Sequence, residues 1–446
     1  MTRQTRFPLA PILPLTAAVN EAGHLTLAGC DAVDLAREFG TPLYVFDDET
    51  LRHQCRQFQS EFRSRHPDTV VAYAAKAYLG RALAAILAEE GMALDVVSGG
   101  ELAIAASVSF PPEGVYFHGN NKSEAELRQA LHYGVGRVVV DNFHEMQLLN
   151  GLAQGVRRRQ PVLLRLSPGV DPHTHAHTTT GTLDSKFGIP LTTGQGEAAV
   201  RQALEEMPGL ELLGLHVHLG SPVFDLEPYR QAVRAVLAFA AEMGRKHGLR
   251  LEEFSPGGGF AVQYTEGRAP PTVAQYAEAI VSALTDACRE NGLPMPRLII
   301  EPGRAIVARA AVALYTVGAS KDVPGVRRFV AVDGGMADNI RPPLYGSQYS
   351  ALVANKALET RRETVTIAGR YCESGDVLMR DAELPPLDAG DVLAMATAGA
   401  YALPLASNYN ASQRPALVLV RDGEAMLIRR RETYEDLMRA DVWPLE

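Results

Sequence analysis

No run of about twenty apolar residues occurs, so no membrane-spanning helix is expected. Cysteine is scarce. Cys30, Cys55, Cys288 and Cys372 are scattered with no Cys-x-x-Cys pair, which argues against a disulfide framework and for a reducing compartment. The opening MTRQTRFPLAPILPLTAAV holds no apolar block followed by a cleavage-like site, so a cytoplasmic location is the expectation. Basic excess is also missing: the formal net charge of -9 argues against nucleic acid or an anionic membrane as the main partner. The basic runs Arg157-Arg158-Arg159 and Arg429-Arg430-Arg431 are short and read as solvated surface. No Gly-x-Gly-x-x-Gly follows the first strand-like run, which counts against a nucleotide-binding open sheet.

What is present is a long chain, 446 residues with 46% hydrophobic content, enough for more than one domain with a substantial core. From about 69 to 303, short β-rich runs alternate with helix-length segments. The runs are TVVAYAAK (69–76), ALDVVS (93–98), GVYFHG (114–119), GRVVVD (136–141), PVLLRLS (161–167), LLGLHVHLGS (212–221), LEEFSPGGG (251–259) and RLIIEPG (297–303). That rhythm predicts a (β/α)8 barrel over 47–310. Segments 123–134 and 228–248 read as helices, the second stopping at Lys246-His247-Gly248. Beyond about 310 the rhythm becomes mainly strand-like, with a hairpin signal at Asp422-Gly423. A second, mainly β domain is therefore expected from 311–446 together with 1–46, where HLTLAG (24–29) also reads as a strand.

In a barrel of this kind the chemistry sits where strands end and βα loops begin. The polar residues at those points are Lys76, Asp95, His118, His218, the run Gly257-Gly258-Gly259, Glu301 and Arg304. Together they suit an aldehyde cofactor with a phosphate tail. Lys76, among Ala74, Ala75 and Ala77, offers a desolvated amine for a Schiff base. The glycines offer unobstructed backbone N–H groups to a phosphate, and Arg304 adds charge. Glu301 offers an anion to a pyridine nitrogen. Taken singly, three glycines are also a flexible turn, and Glu-Pro-Gly a tight one.

The sequence resembles the fold-type III pyridoxal-phosphate decarboxylases, and among them most closely those acting on diaminopimelate. The resemblance runs collinearly through TPLYVFD (41–47), YAAKA (73–77), DVVSGGEL (95–102), FHGNNKS (117–123), DSKFGI (184–189), HVHLGS (216–221), GGG (257–259), EPGR (301–304), RPPLYG (341–346), CESGD (372–376) and GAYALPLASNYN (399–410). It implies pyridoxal 5'-phosphate carried on Lys76, His218 stacked on its ring, and Glu301 at its pyridine nitrogen. Asp95, Ser221, Gly257 to Gly259, Pro302, Gly303, Arg304 and Tyr401 complete the implied cofactor set. Arg304, Arg341, Tyr345, Glu373 and Tyr401 are the implied substrate set. Arginines with Glu373 suit a substrate bearing two carboxylates and two ammonium groups.

Cys372 is the implied proton donor after carbon dioxide leaves, reaching into a partner's site in a homodimer. The implied reaction converts meso-2,6-diaminopimelate to L-lysine; the alternative is a same-fold decarboxylase of ornithine, arginine or carboxynorspermidine. A racemase of the same barrel is disfavoured by Glu301, and a non-catalytic homologue by the retention of both Lys76 and Cys372.

Two departures from the family pattern stand out. Pro222 follows Gly220-Ser221 where glutamine is common, and removes a backbone donor. Ala337 replaces asparagine in Gly335-Met336-Ala337-Asp338. His173, His175 and His177 lack a partner at familiar ligand spacing, so no metal is expected, and they read as a loop at the barrel mouth.

Overall fold

The computed structural model describes residues 9–170, 184–267 and 269–443. The chain divides into two compact units, residues 54–261 with 270–305, and the remainder: up to 53, 262–269 and from 306 on. His173, His175 and His177 lie outside the described residues.

The first unit is a closed barrel of eight parallel strands. They are β1 (Thr69–Ala74), β2 (Ala93–Val96), β3 (Val115–Phe117), β4 (Arg137–Val140), β5 (Gln160–Ser167), β6 (Leu210–His216), β7 (Glu253–Gly257) and β8 (Arg297–Ile300). Closure is direct: Ile299 of β8 faces Val70 of β1 in register. Helices follow the strands with ordinary sequence signals. Helix Glu124–Tyr133 starts at a Ser123/Glu126 capping box and stops at left-handed Gly134. Helix Glu227–His247 ends on Arg245, Lys246 and His247 before left-handed Gly248.

Strand alternation explains how this barrel makes both a core and a site. Ala72, Ala93, Tyr116, Val139, Leu163 and Ile299 form one buried apolar cluster. Side chains two positions apart share a strand face, so Asp95, His118, Asp141, Arg165 and Glu301 project the same way, one layer nearer the strands' C-terminal ends. All five are buried. A bulge between Leu212 and Gly214 interrupts β6, whose last residue, His216, is buried beside Glu301.

In the second unit, strand Leu43–Asp47 lies between Ala311–Val323, antiparallel, and Ala416–Arg421, parallel. The sheet continues through Arg327–Val332, Glu363–Ala368 and Val377–Leu384 on one side and ends at Glu424–Arg429 on the other. Asp422 and Gly423 both take positive φ, as a two-residue hairpin turn requires. Strand Leu25–Leu27 supplies two buried leucines to this unit's core.

Candidate active site

Lys76 stands in the 3-10 turn Ala75–Ala77 directly after β1. Tyr73 pins that turn by donating its hydroxyl to the Tyr78 carbonyl at 2.6 Å. Ala75 and Ala77 are buried but Lys76 is exposed, so its apolar neighbours do not desolvate it as the sequence suggests. Beside the turn, Ala74 N–H donates to the Pro302 carbonyl at 3.2 Å, joining the ends of β1 and β8. A Cβ on Gly303 would sit 2.9 Å from the Ala74 carbonyl oxygen; the Glu-Pro-Gly run is glycine there because the two ends close tightly.

Glu301 is the centre of the barrel mouth. His216 donates from Nε2 to Glu301 Oε2 at 3.0 Å, and Ser255 Oγ donates to Oε1 at 2.8 Å. Burial alone would raise the Glu301 pKa, but it is held below the usual carboxylate range, and the neighbouring histidines are the cause. Burial pushes the His118 ring well below its ordinary value; of the histidines only His216 hydrogen-bonds Glu301, while Ser255 orients the other oxygen. His118 Nε2 lies 3.6 Å from Glu301 Oε1 and 3.7 Å from Asp95 Oδ1, too far to hydrogen-bond either. Burial and then the charge of Glu301 push the Asp95 carboxyl well above its ordinary value. The two neighbouring buried carboxyls are thus pushed in opposite directions. His118, His216 and Glu301 also place one ligand atom each within 4.8 Å of one another, a geometry compatible with a metal ion. The bonds from His216 and Ser255 satisfy the carboxylate without one.

The glycine run shapes the adjoining wall. A Cβ on Gly258 would lie 2.1 Å from the Glu301 carbonyl oxygen, and Gly259, at φ +104, would clash with the Gly220 carbonyl at 2.4 Å. Glycine is required because the loops after β6, β7 and β8 converge there. Gly257 N–H donates to Ser255 Oγ at 3.1 Å and Gly258 N–H to His218 Nδ1 at 3.2 Å, so two of the three are already engaged. The second bond makes Nδ1 of His218 the acceptor, and burial holds this ring neutral. Arg304 approaches Ser221 Oγ at 3.4 Å. Although Pro222 lacks an N–H, Val223 N–H donates to the Gly259 carbonyl at 2.8 Å and ties the loop down one residue later.

Several residues here escaped the sequence reading. Arg165 faces Asp141 at 3.7 Å and lies over the Phe187 ring at 4.5 Å, while Gly188 N–H donates to Asp141. The DSKFGI motif thereby packs on the inner layer. Lys122 is buried against Glu145 at 2.7 Å and also donates to the Gly119 and Val139 carbonyls. Asp141, Arg165 and Ser255 each follow an inward-facing residue by two positions, and that spacing is the signal that could have found them.

The remaining expected residues belong to the second unit. Arg341 is buried at the start of helix Arg341–Tyr345, which Tyr345 ends. Tyr401 takes φ +60, an unusual conformation for a tyrosine. Cys372 and Glu373 are exposed on a tip anchored from below. Cys372 N–H donates to Asn410 Oδ1 at 2.9 Å, and Tyr409 donates its hydroxyl to the Cys372 carbonyl at 3.2 Å. Asp376 gathers the adjoining turns by accepting from Met336 and Tyr371 N–H. Ala337, the second departure from the family pattern, is buried and accepts from Ser407 N–H through its carbonyl, a bond that needs no particular side chain.

A parallel barrel with an exposed lysine after its first strand, a buried carboxylate after its last and a glycine wall between them defines a class. Residues 48–308 match the family described as "Pyridoxal-dependent decarboxylase, pyridoxal binding domain". The diaminopimelate decarboxylase of Bacillus subtilis is 45% identical over 427 residues, 96% of this chain and 97% of that one. The diaminopimelate decarboxylase of Actinosynnema pretiosum is 49% identical over 424 residues, 95% of this chain and 93% of the relative. The crystal structure of the M. jannaschii diaminopimelate decarboxylase in complex with L-lysine matches with a TM-score of 0.90 at 36% identity, covering 96% of this chain and 98% of that one. The chain belongs to the diaminopimelate decarboxylase family.

The residues present fit pyridoxal phosphate. Glu301 is a buried anion with both oxygens oriented, Lys76 supplies an accessible amine, and the glycine wall admits no side chain.

Proposed function

We propose that this protein removes carbon dioxide from the D centre of meso-2,6-diaminopimelate, releasing L-lysine, with pyridoxal 5'-phosphate as cofactor. The observation that carries the reading is Glu301, buried inside the barrel with a hydrogen bond to each oxygen, from His216 and Ser255. Bound there, the cofactor supplies an electron sink for the pair left when carbon dioxide departs. The chain does the rest. Lys76 would carry the cofactor covalently through its accessible amine. Glu301 keeps the pyridine nitrogen protonated. The neutral His218 ring, oriented by the Gly258 N–H, would pack against the cofactor. Ser221, Gly259 and Arg304 would hold the phosphate.

Arg341, Tyr345 and Tyr401 bind the end of the substrate that does not react, and Glu373 receives its distal ammonium. Cys372 delivers the proton that replaces the carboxylate. The exposed, anchored Cys372–Glu373 tip supports a homodimer in which one protomer lends these residues to its partner. The four cysteines are all unpaired, which supports a cytoplasmic location. Ornithine, arginine and carboxynorspermidine are disfavoured, since the full-length relatives carry the diaminopimelate name.

The test is carbon dioxide release by purified protein with added pyridoxal phosphate. Release from meso-diaminopimelate alone, against L-lysine, L-ornithine and L-arginine, is the expected result. Release from a monocarboxylate amino acid instead would overturn the substrate and leave the cofactor roles standing.

A further inference from the structure

Arg341 is a buried guanidinium with no carboxylate beside it among the described residues. Its neighbours are two tyrosines. The guanidinium carbon lies 4.8 Å from the centroid of the Tyr264 ring and 5.4 Å from that of Tyr349. The two rings meet edge to face, 5.3 Å apart at 84°. Nη1 also donates to the Tyr349 hydroxyl. Tyr264 belongs to the short segment 262–269, which is part of the second unit although it follows the glycine run directly in sequence. An arginine buried for structural reasons is ordinarily paired, because an uncompensated buried charge is costly. Here the ring faces and hydroxyls of two tyrosines hold the cation, and no carboxylate among the described residues offsets its charge, which leaves it free to meet the carboxylate of a ligand.

We propose that Tyr264 and Tyr349 are positioning residues that fix the Arg341 guanidinium for the carboxylate the reaction leaves in place. They thereby set the preference for a substrate whose far end is an amino acid rather than a bare amine. Orienting the fork beforehand removes the side-chain ordering that binding would otherwise require. The inference rests on the proposed diaminopimelate reaction and adds the residues that determine its far-end specificity.

The experiment compares two inhibitors of the holoenzyme. L-lysine keeps the far carboxylate; cadaverine is the same molecule without it. Wild type is expected to bind L-lysine better. Tyr264→Leu removes one aromatic face and is expected to weaken L-lysine by roughly 2- to 30-fold, the range of a cation–π contact. Tyr349→Phe removes the hydroxyl and is expected to weaken it by roughly 2- to 10-fold. Cadaverine binding stays unchanged in both, and KM for diaminopimelate rises while kcat holds.

Equal weakening of both inhibitors, or no weakening of either, overturns the proposal while the wild-type reaction stands. A wild-type enzyme that releases no carbon dioxide from diaminopimelate, or does not prefer L-lysine, overturns the proposed function and this inference with it.

Discussion

Glu301 shows how far a single residue's chemistry depends on what surrounds it. As a buried carboxylate it would ordinarily take up a proton, and Asp95, a layer-mate with no hydrogen bond to its Oδ1, is driven that way. Glu301 escapes because His216 and Ser255 each donate to a different oxygen. A hydrogen bond to a charged group is worth about 1.5–3 kcal/mol. Ser255→Ala and His216→Asn are therefore each expected to lower kcat by roughly 10- to 100-fold. Losing a donor raises the carboxylate's depressed pKa, so the acid limb of the pH–rate profile moves to higher pH in both variants. A kinetic pH profile and a titration of the bound cofactor's absorbance check this. Profiles superimposable on wild type would detach these two residues from Glu301. Glu301 itself was legible in the sequence from its place after the last strand-like run, but its protonation state was not, because both donors come from other strands.

Among the elements, the barrel strands were the most legible and the loops the least. Short β-rich runs alternating with helix-length segments predicted all eight strands. The sequence reads the glycine run as backbone N–H groups unobstructed by side chains. In the structure the approach of Val217, Gly220 and Glu301 backbone explains the glycines better. The FHGNNKS motif carries a second lesson. Lys122 ties the loop after β3 to β4 and to helix Phe143–Gly155 through Gly119, Val139 and Glu145. Lys122→Met should destabilise the protein by about 3–5 kcal/mol, because it strands a buried Glu145. The double variant Lys122→Met/Glu145→Leu should recover much of that loss, since paired buried charges exchange for apolar side chains at little cost. Denaturant midpoints of the three proteins decide it, and equal stability of the single and double variants would refute the clamp.

Over the whole molecule, the proposed homodimer makes each site a product of two chains, and this is testable by complementation. Lys76→Ala and Cys372→Ala are each expected to be nearly inactive. If Cys372 serves its partner, a mixed dimer regains one intact site, so equal mixing after exchange should restore about a quarter of wild-type activity by random pairing. If both residues serve the same chain's site, mixing restores nothing. Much of this protein was determined by its sequence alone: the barrel, the strand-rich second unit, Lys76 and Glu301 at strand ends, and the family. Those follow from local periodicity and short collinear motifs, which need no knowledge of what packs against what. The tertiary structure alone decided that Glu301 is pushed below the ordinary carboxylate range and Asp95 above it, that Arg165 and His216 complete the inner layer, and that Tyr264 and Tyr349 enclose Arg341. Each of these is a contact between residues far apart in the chain, and its energy depends on burial and on distances of a few ångströms, which no local pattern encodes.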